Sequence, residues 1–103
     1  MSDKITIKLG GEEVELVCSF KAHQAIQKRF GGHQPAFQSV AQLSADTAVA
    51  IIAAATDTKG EAKLAELHEK VYAAGLLKMT TPLVKYLVRL GNGGRDAEDD
   101  EAA

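Results

Sequence analysis

The stretch KITIKLGGEEVEL (residues 4–16) constrains the fold more than any other part of the sequence. Apolar and polar side chains alternate on both sides of Gly10-Gly11, and a period of two is typical of a strand with one buried face. Two consecutive glycines favour a two-residue type I′ turn, because both of its central residues need a positive φ. This turn predicts an antiparallel register whose pairs are Leu9 with Glu12, Lys8 with Glu13, Ile7 with Val14, Thr6 with Glu15, and Ile5 with Leu16.

Helices are predicted for most of the remaining chain, because an isolated hairpin is unstable in water and must rest its apolar face on other elements. Serines precede two of the helices as N-caps, and apolar residues recur at three- and four-residue spacing. The predicted ranges are Phe20–Phe30, Pro35–Leu43, Ala45–Thr56, Glu61–Ala74 and Pro82–Leu90. The sequence thus indicates a mainly α, α+β domain over residues 1–91, with an N-terminal two-stranded antiparallel hairpin packed on four to five short helices.

Residue spacing also predicts which sides of the helices face inward. The apolar side of the helix over 61–74 is expected to comprise Leu64, Leu67, Val71 and Tyr72. The last helix is expected to have Lys85 and Arg89 on its solvent side. The stretch AVAIIAAA (48–55) is apolar all round, so this helix lies either at the centre of the core or between the core and a partner.

The chain end differs in composition from the rest of the 103 residues. After GNGG, the segment RDAEDDEAA carries five acids and one arginine, and residues 92–103 are therefore predicted to form a disordered acidic tail. Such a tail favours solubility, and docking to a basic partner surface is the alternative. Without RDAEDDEAA the chain retains eleven bases and nine acids, a balance too close to neutral to indicate nucleic-acid binding.

The sequence predicts no enzyme, cofactor or metal site. Neither a phosphate-binding glycine loop nor a C-x-x-C or H-E-x-x-H pattern is present. Cys18 and His23 are a conceivable nucleophile and base, but no orienting third group is evident, and a buried structural cysteine is favoured. His23, His33 and His68 lack the short recurring spacing of metal ligands, and we expect surface or partly buried histidines.

A cytoplasmic protein without membrane association is expected from the same sequence. The single cysteine forms no internal disulfide, which fits a reducing compartment. No apolar run approaches the roughly 18 residues of a membrane span. The charged N-terminus MSDK is not followed by the apolar segment of a secretory signal.

A resemblance to a known family is carried by hydrophobic and glycine positions, and FGG (30–32) after the first helix and YAAGL (72–76) are its closest matches. The positions are Ile5, Leu9, Val14, Leu16, Phe20, Ala25, Ile26, Phe30, Gly31, Ala73, Gly75 and Leu76. Over most of residues 3–90 the chain resembles the small tail proteins of gene transfer agents and long-tailed phages, in the group of tail assembly chaperones.

This resemblance implies a non-catalytic role in the cytoplasm of a bacterial host cell. Proteins of the family coat the aggregation-prone tape-measure protein and recruit tail-tube subunits, so these two proteins are the implied partners, and self-association is compatible with the role. Partner contacts are expected from apolar helix faces, at Ile51, Ile52, Leu83 and Leu87. Three alternatives stay open: a structural tail-tube or completion subunit, a small protein-binding module, and a nucleic-acid binder that uses Lys78, Lys85 and Arg89.

Overall fold

The computed structural model of the chain describes residues 5–42 and 44–93. Within these residues the chain forms two strands followed by five helices, so the predicted mainly α, α+β fold is confirmed. The elements are β1 (Thr6–Leu9), β2 (Glu12–Glu15), α1 (Phe20–Phe30), α2 (His33–Ala41), α3 (Ala45–Thr56), α4 (Glu61–Ala74) and α5 (Leu76–Gly91). Asn92 and Gly93 close α5 through backbone hydrogen bonds, and the predicted acidic tail from residue 94 onward lies outside the described residues.

The hairpin has the predicted register. Four pairs, from Thr6–Glu15 to Leu9–Glu12, are formed, and the Leu16 amide donates a hydrogen bond of 2.8 Å to the Ile5 carbonyl. Gly10 and Gly11 have φ values of 60° and 82°, which is the conformation that a type I′ turn needs. The buried side of the hairpin packs against α4 and α5. Its buried residues are Ile5, Ile7, Leu9 and Leu16.

The helix α3 is the centre of the core, because it packs against all four other helices. Ser44 caps its start by accepting a hydrogen bond of 3.3 Å from the Thr47 amide, so the predicted start is confirmed. The contacts with the other four helices explain why most of the apolar residues of α3 are buried, while Ala50, Ala53 and Ala54 are only half-buried. Its buried members are Thr47, Ala48, Val49, Ile51, Ile52 and Ala55.

The structure corrects the starts of two helices. α2 begins at His33 rather than at Pro35. Pro35 is tolerated in the first turn, because the amide that it lacks would have no acceptor within the helix. α5 begins at Leu76, and Pro82 lies inside it rather than at its first position. Pro82 removes a single helical hydrogen bond, whereas continuing the helix keeps Met79, which is 5% exposed, buried on the same side as Leu83.

Two predicted orientations are wrong. Tyr72 is 80% exposed, because α4 turns Leu67 and Val71 inward and the next residue lies about 100° further around the helix. Arg89 is only 7% exposed and does not lie on a solvent side, although Lys85 does. The buried residues of α5 are Met79, Leu83, Tyr86, Leu87, Arg89 and Leu90.

Candidate functional site

The four residues predicted to face a partner lie in the core. Ile51, Ile52 and Leu87 are 0% exposed and Leu83 is 1% exposed. Their side chains fill the space between α3 and α5, so no partner reaches them in this conformation. The structure therefore corrects their assignment to a partner-facing surface, and a binding surface has to be sought among exposed apolar residues.

Three large apolar side chains are mostly exposed: Phe20 at 73%, Tyr72 at 80% and Leu77 at 76%. Phe20 is the first residue of α1, and Tyr72 and Leu77 lie on either side of Gly75, where α4 meets α5. Single exposed apolar side chains are normal on protein surfaces, so only one that lies beside a groove is a candidate for a contact surface.

A cleft of about 510 Å³ lies between the start of α1 and the end of α5, and we call it the α1–α5 cleft. Its walls are mostly apolar. The described residues that line it are Cys18, Ser19, Phe20, His23, Leu90, Gly91 and Gly93. It therefore offers an apolar groove beside the exposed Phe20 ring.

Three hydrogen bonds fix one wall of this cleft. Ser19 accepts a hydrogen bond of 3.0 Å from the Ala22 amide and so sets where α1 begins. The Tyr86 hydroxyl, on the fully buried side of α5, donates a hydrogen bond of 2.8 Å to the Val17 carbonyl, and the Val17 amide donates one to Ala55. The segment that leads into α1 is thus tied to both α5 and α3.

Cys18 lies in the cleft, but its environment does not activate it. Burial raises the pKa of the thiol, and the nearby positive charge of Arg89 opposes this only in part. A thiol with a raised pKa stays protonated near neutral pH and is a poor nucleophile. The ring of His23 lines the same cleft, and its Nδ1 contacts another histidine.

His23 and His33 form a pair that the sequence did not predict. His23 Nδ1 lies 3.0 Å from His33 Nε2, and the two ring planes are inclined by only 16°. His33 Nδ1 is buried and has no hydrogen-bond partner among the described residues. Burial, and then the charge of His23, lower the pKa of His33. The turn at Gly31-Gly32 brings the two rings together across ten residues, which no helical or strand period predicts.

The described residues contain no group of three or more metal-ligating side chains that could hold an ion. His68 contacts a carboxylate instead, with its Nε2 3.1 Å from Asp46. None of the helices between residues 5 and 93 has both the length and the apolar character needed to cross a membrane.

Comparison with known proteins found no matching family model, no matching curated protein and no matching solved structure. The interpretation of function therefore depends on the sequence resemblance and on the surfaces described above.

Proposed function

We propose that this chain is a non-catalytic tail assembly chaperone of a phage-like particle, from a prophage or a gene transfer agent. In this role it binds the tape-measure protein and helps to recruit tail-tube subunits. The sequence resemblance at FGG (30–32) and YAAGL (72–76) supports the proposal. The structural observation that carries it is the apolar α1–α5 cleft with the 73% exposed ring of Phe20 beside it.

A groove of this kind suits a helical partner. An amphipathic helix binds by laying its apolar side chains into a hydrophobic groove, and exposed aromatic residues are frequent anchors of such contacts. Tyr72 and Leu77 give a second apolar surface at the α4–α5 corner. Several weak contacts of this type along one long partner add up by avidity, which suits a protein that coats a filament.

The first experiment is co-expression with the tape-measure protein encoded nearby. Association in constant proportion, together with a larger soluble fraction of the partner, is the expected result. Phe20→Ser is expected to abolish association, whereas Leu77→Ser, which alters a side chain of similar exposure outside the α1–α5 cleft, is expected to weaken it less. Both substitutions are at exposed positions, so loss of folding does not confuse the comparison.

Two outcomes contradict the proposal. Absence of association, with this protein present in purified tail particles, identifies a structural tail-tube or completion subunit. If the protein neither associates with the tape-measure protein nor occurs in purified tail particles, a small protein-binding module is the remaining alternative. Nucleic-acid binding through Lys78, Lys85 and Arg89 predicts a steep salt dependence, and the burial of Arg89 removes one of these cations from the accessible surface.

A further inference from the structure

The contact between His23 and His33 depends on a single proton. The distance of 3.0 Å between His23 Nδ1 and His33 Nε2 is that of a hydrogen bond, which needs a proton on one nitrogen and a lone pair on the other. A neutral pair satisfies this condition, and so does a pair that carries one positive charge. When both rings are protonated, two N–H groups point at each other, and the contact cannot persist in this geometry.

Within residues 5–42 and 44–93, the helices around the pair provide no carboxylate that neutralises a second proton. α1, α2 and α5 contain no aspartate or glutamate. Their charged side chains are Lys21, Lys28, Arg29, Lys78, Lys85 and Arg89. α3 also packs against α1 and α2, but Asp46 in its first turn contacts His68, and its C-cap residue Asp57 contacts Lys21 and Lys59. Cys18 is the other titratable group of the described cleft walls, and it stays neutral near pH 7.

We propose that the His23–His33 contact is a proton-operated latch, which holds the first turn of α2 against α1 near neutral pH and releases it on acidification. Gly31 and Gly32, with φ values of 83° and 145°, link the two helices without side chains that would restrict the movement. Ala36 and Val40 stay in the core, so the release is confined to the turn that carries His33. Because His23 lines the α1–α5 cleft, release changes the wall of that cleft. This inference is independent of the proposed function.

A shared metal ion is the competing explanation, and the geometry favours the proton. Two imidazole nitrogens bound to one tetrahedral zinc ion lie about 3.3 Å apart, since each Zn–N bond is about 2.0–2.1 Å long. The observed 3.0 Å is shorter, and the described residues provide no third ligand.

The test is an NMR titration of the histidine ring and backbone amide signals from about pH 8 to about pH 4.5. The proposal predicts that the signals of His23 and His33 move in two coupled steps, and that the amides of Gly31 and Gly32 shift with the second step. His68 serves as an internal control, because it lies on α4 and contacts a carboxylate. Independent single-step titration of both rings, with no change at the two glycines, would overturn the latch.

A stability series adds a second readout. A group whose pKa is lowered in the folded state costs stability when the pH falls below its unfolded value, which is about 6.5 for histidine. The urea midpoint of the native chain is therefore expected to fall between about pH 7 and pH 5, and His33→Gln is expected to reduce this fall. His68→Gln should not reduce this fall in the urea midpoint. Equal falls in the native chain and in His33→Gln contradict the proposal.

The metal alternative is tested directly with the native chain. One equivalent of Zn²⁺ at pH 7 should leave the ring signals of His23 and His33 in place. A stoichiometric shift of both signals, reversed by a chelator, would replace the latch with a metal site. If His33→Gln does not fold, His23→Gln removes the same contact, and the titration of the native chain still decides the question.

Discussion

The interior between α3 and α5 and the surface at the α1–α5 cleft are both apolar, but the structure gives them opposite exposures. Ile51 and Leu87 are completely buried, whereas Phe20 is 73% exposed. α3 packs against the four other helices, so most of its apolar residues are buried, and Ala50, Ala53 and Ala54 are half-buried. Phe20 lies at the start of α1, and its ring remains largely uncovered among the described residues.

This contrast shows that a run of apolar residues does not by itself indicate a binding surface. The longest apolar run of the sequence, AVAIIAAA, lies mostly in the core, whereas the exposed residues Phe20, Tyr72 and Leu77 lie outside it. Substitutions in the two regions should therefore separate stability from binding.

The largest effect is expected for Leu87→Ala in the interior. Leu87 is 0% exposed, and truncation of a buried leucine removes apolar contacts and leaves a cavity, which lowers the free energy of unfolding by about 2–5 kcal/mol. Urea denaturation followed by circular dichroism measures this loss. The exposed Leu77→Ala is the control and should change the same quantity by less than about 0.5 kcal/mol. A similar, small loss in both variants would break the distinction between interior and surface.

A smaller loss of stability is expected for Tyr86→Phe. The Tyr86 side chain links the interior to the segment that leads into α1. The substitution removes the hydrogen bond from the hydroxyl to the Val17 carbonyl and should lower the free energy of unfolding by about 0.5–1.5 kcal/mol. Burial, followed by the charge of Cys18, raises the pKa of the Tyr86 phenol. A raised folded-state pKa gives stability that is complete below the unfolded value of about 10 and is lost as the pH rises above it.

The pH dependence supplies the control for this prediction. The thermal stability of the native chain should fall above about pH 10. The thermal stability of Tyr86→Phe should fall less over the same range. If the native chain and Tyr86→Phe lose equal stability at alkaline pH, Tyr86 is not responsible for the loss. The connection into α1 is then held by other contacts.

Local signals in the sequence predicted much of this fold. The turn at Gly10-Gly11 determined the register of the hairpin, and Ser19 and Ser44 marked the starts of α1 and α3, because these features act through neighbouring residues. The start of α5 was missed, because Pro82 is a common first residue of a helix and nothing local shows that burial of Met79 extends the helix past it.

The candidate site was harder to predict, because it depends on how the helices pack. An apolar face shows that a residue can be buried, but only the neighbouring elements decide that Leu83 lies inside and Tyr72 outside. The α1–α5 cleft joins residues that are about seventy positions apart, from Cys18 to Gly91. The contact of His23 with His33 crosses a glycine turn whose direction is fixed by the packing of α2.

Ser19→Ala, at the edge of the α1–α5 cleft, should lower the free energy of unfolding by about 1 kcal/mol. The change removes the acceptor of the hydrogen bond from the Ala22 amide, and an alanine at this position cannot cap the helix. Ser19→Asp restores an acceptor and should retain most of the stability. Urea midpoints of the two variants measure the difference, and equal midpoints would show that the cap contributes nothing.

The smallest effect on stability, together with a large effect on binding, is expected for Phe20→Ser. Phe20 is 73% exposed, so the free energy of unfolding should change by less than about 0.5 kcal/mol, since little buried surface is lost. Association with the proposed partner, the tape-measure protein, measured by co-elution, should fall well below that of Leu77→Ser. If Phe20→Ser unfolds the chain, the ring belongs to the core after all. If it stays folded and binds normally, the partner contacts another surface, and the exposed Tyr72 and Leu77 at the α4–α5 corner become the next residues to test.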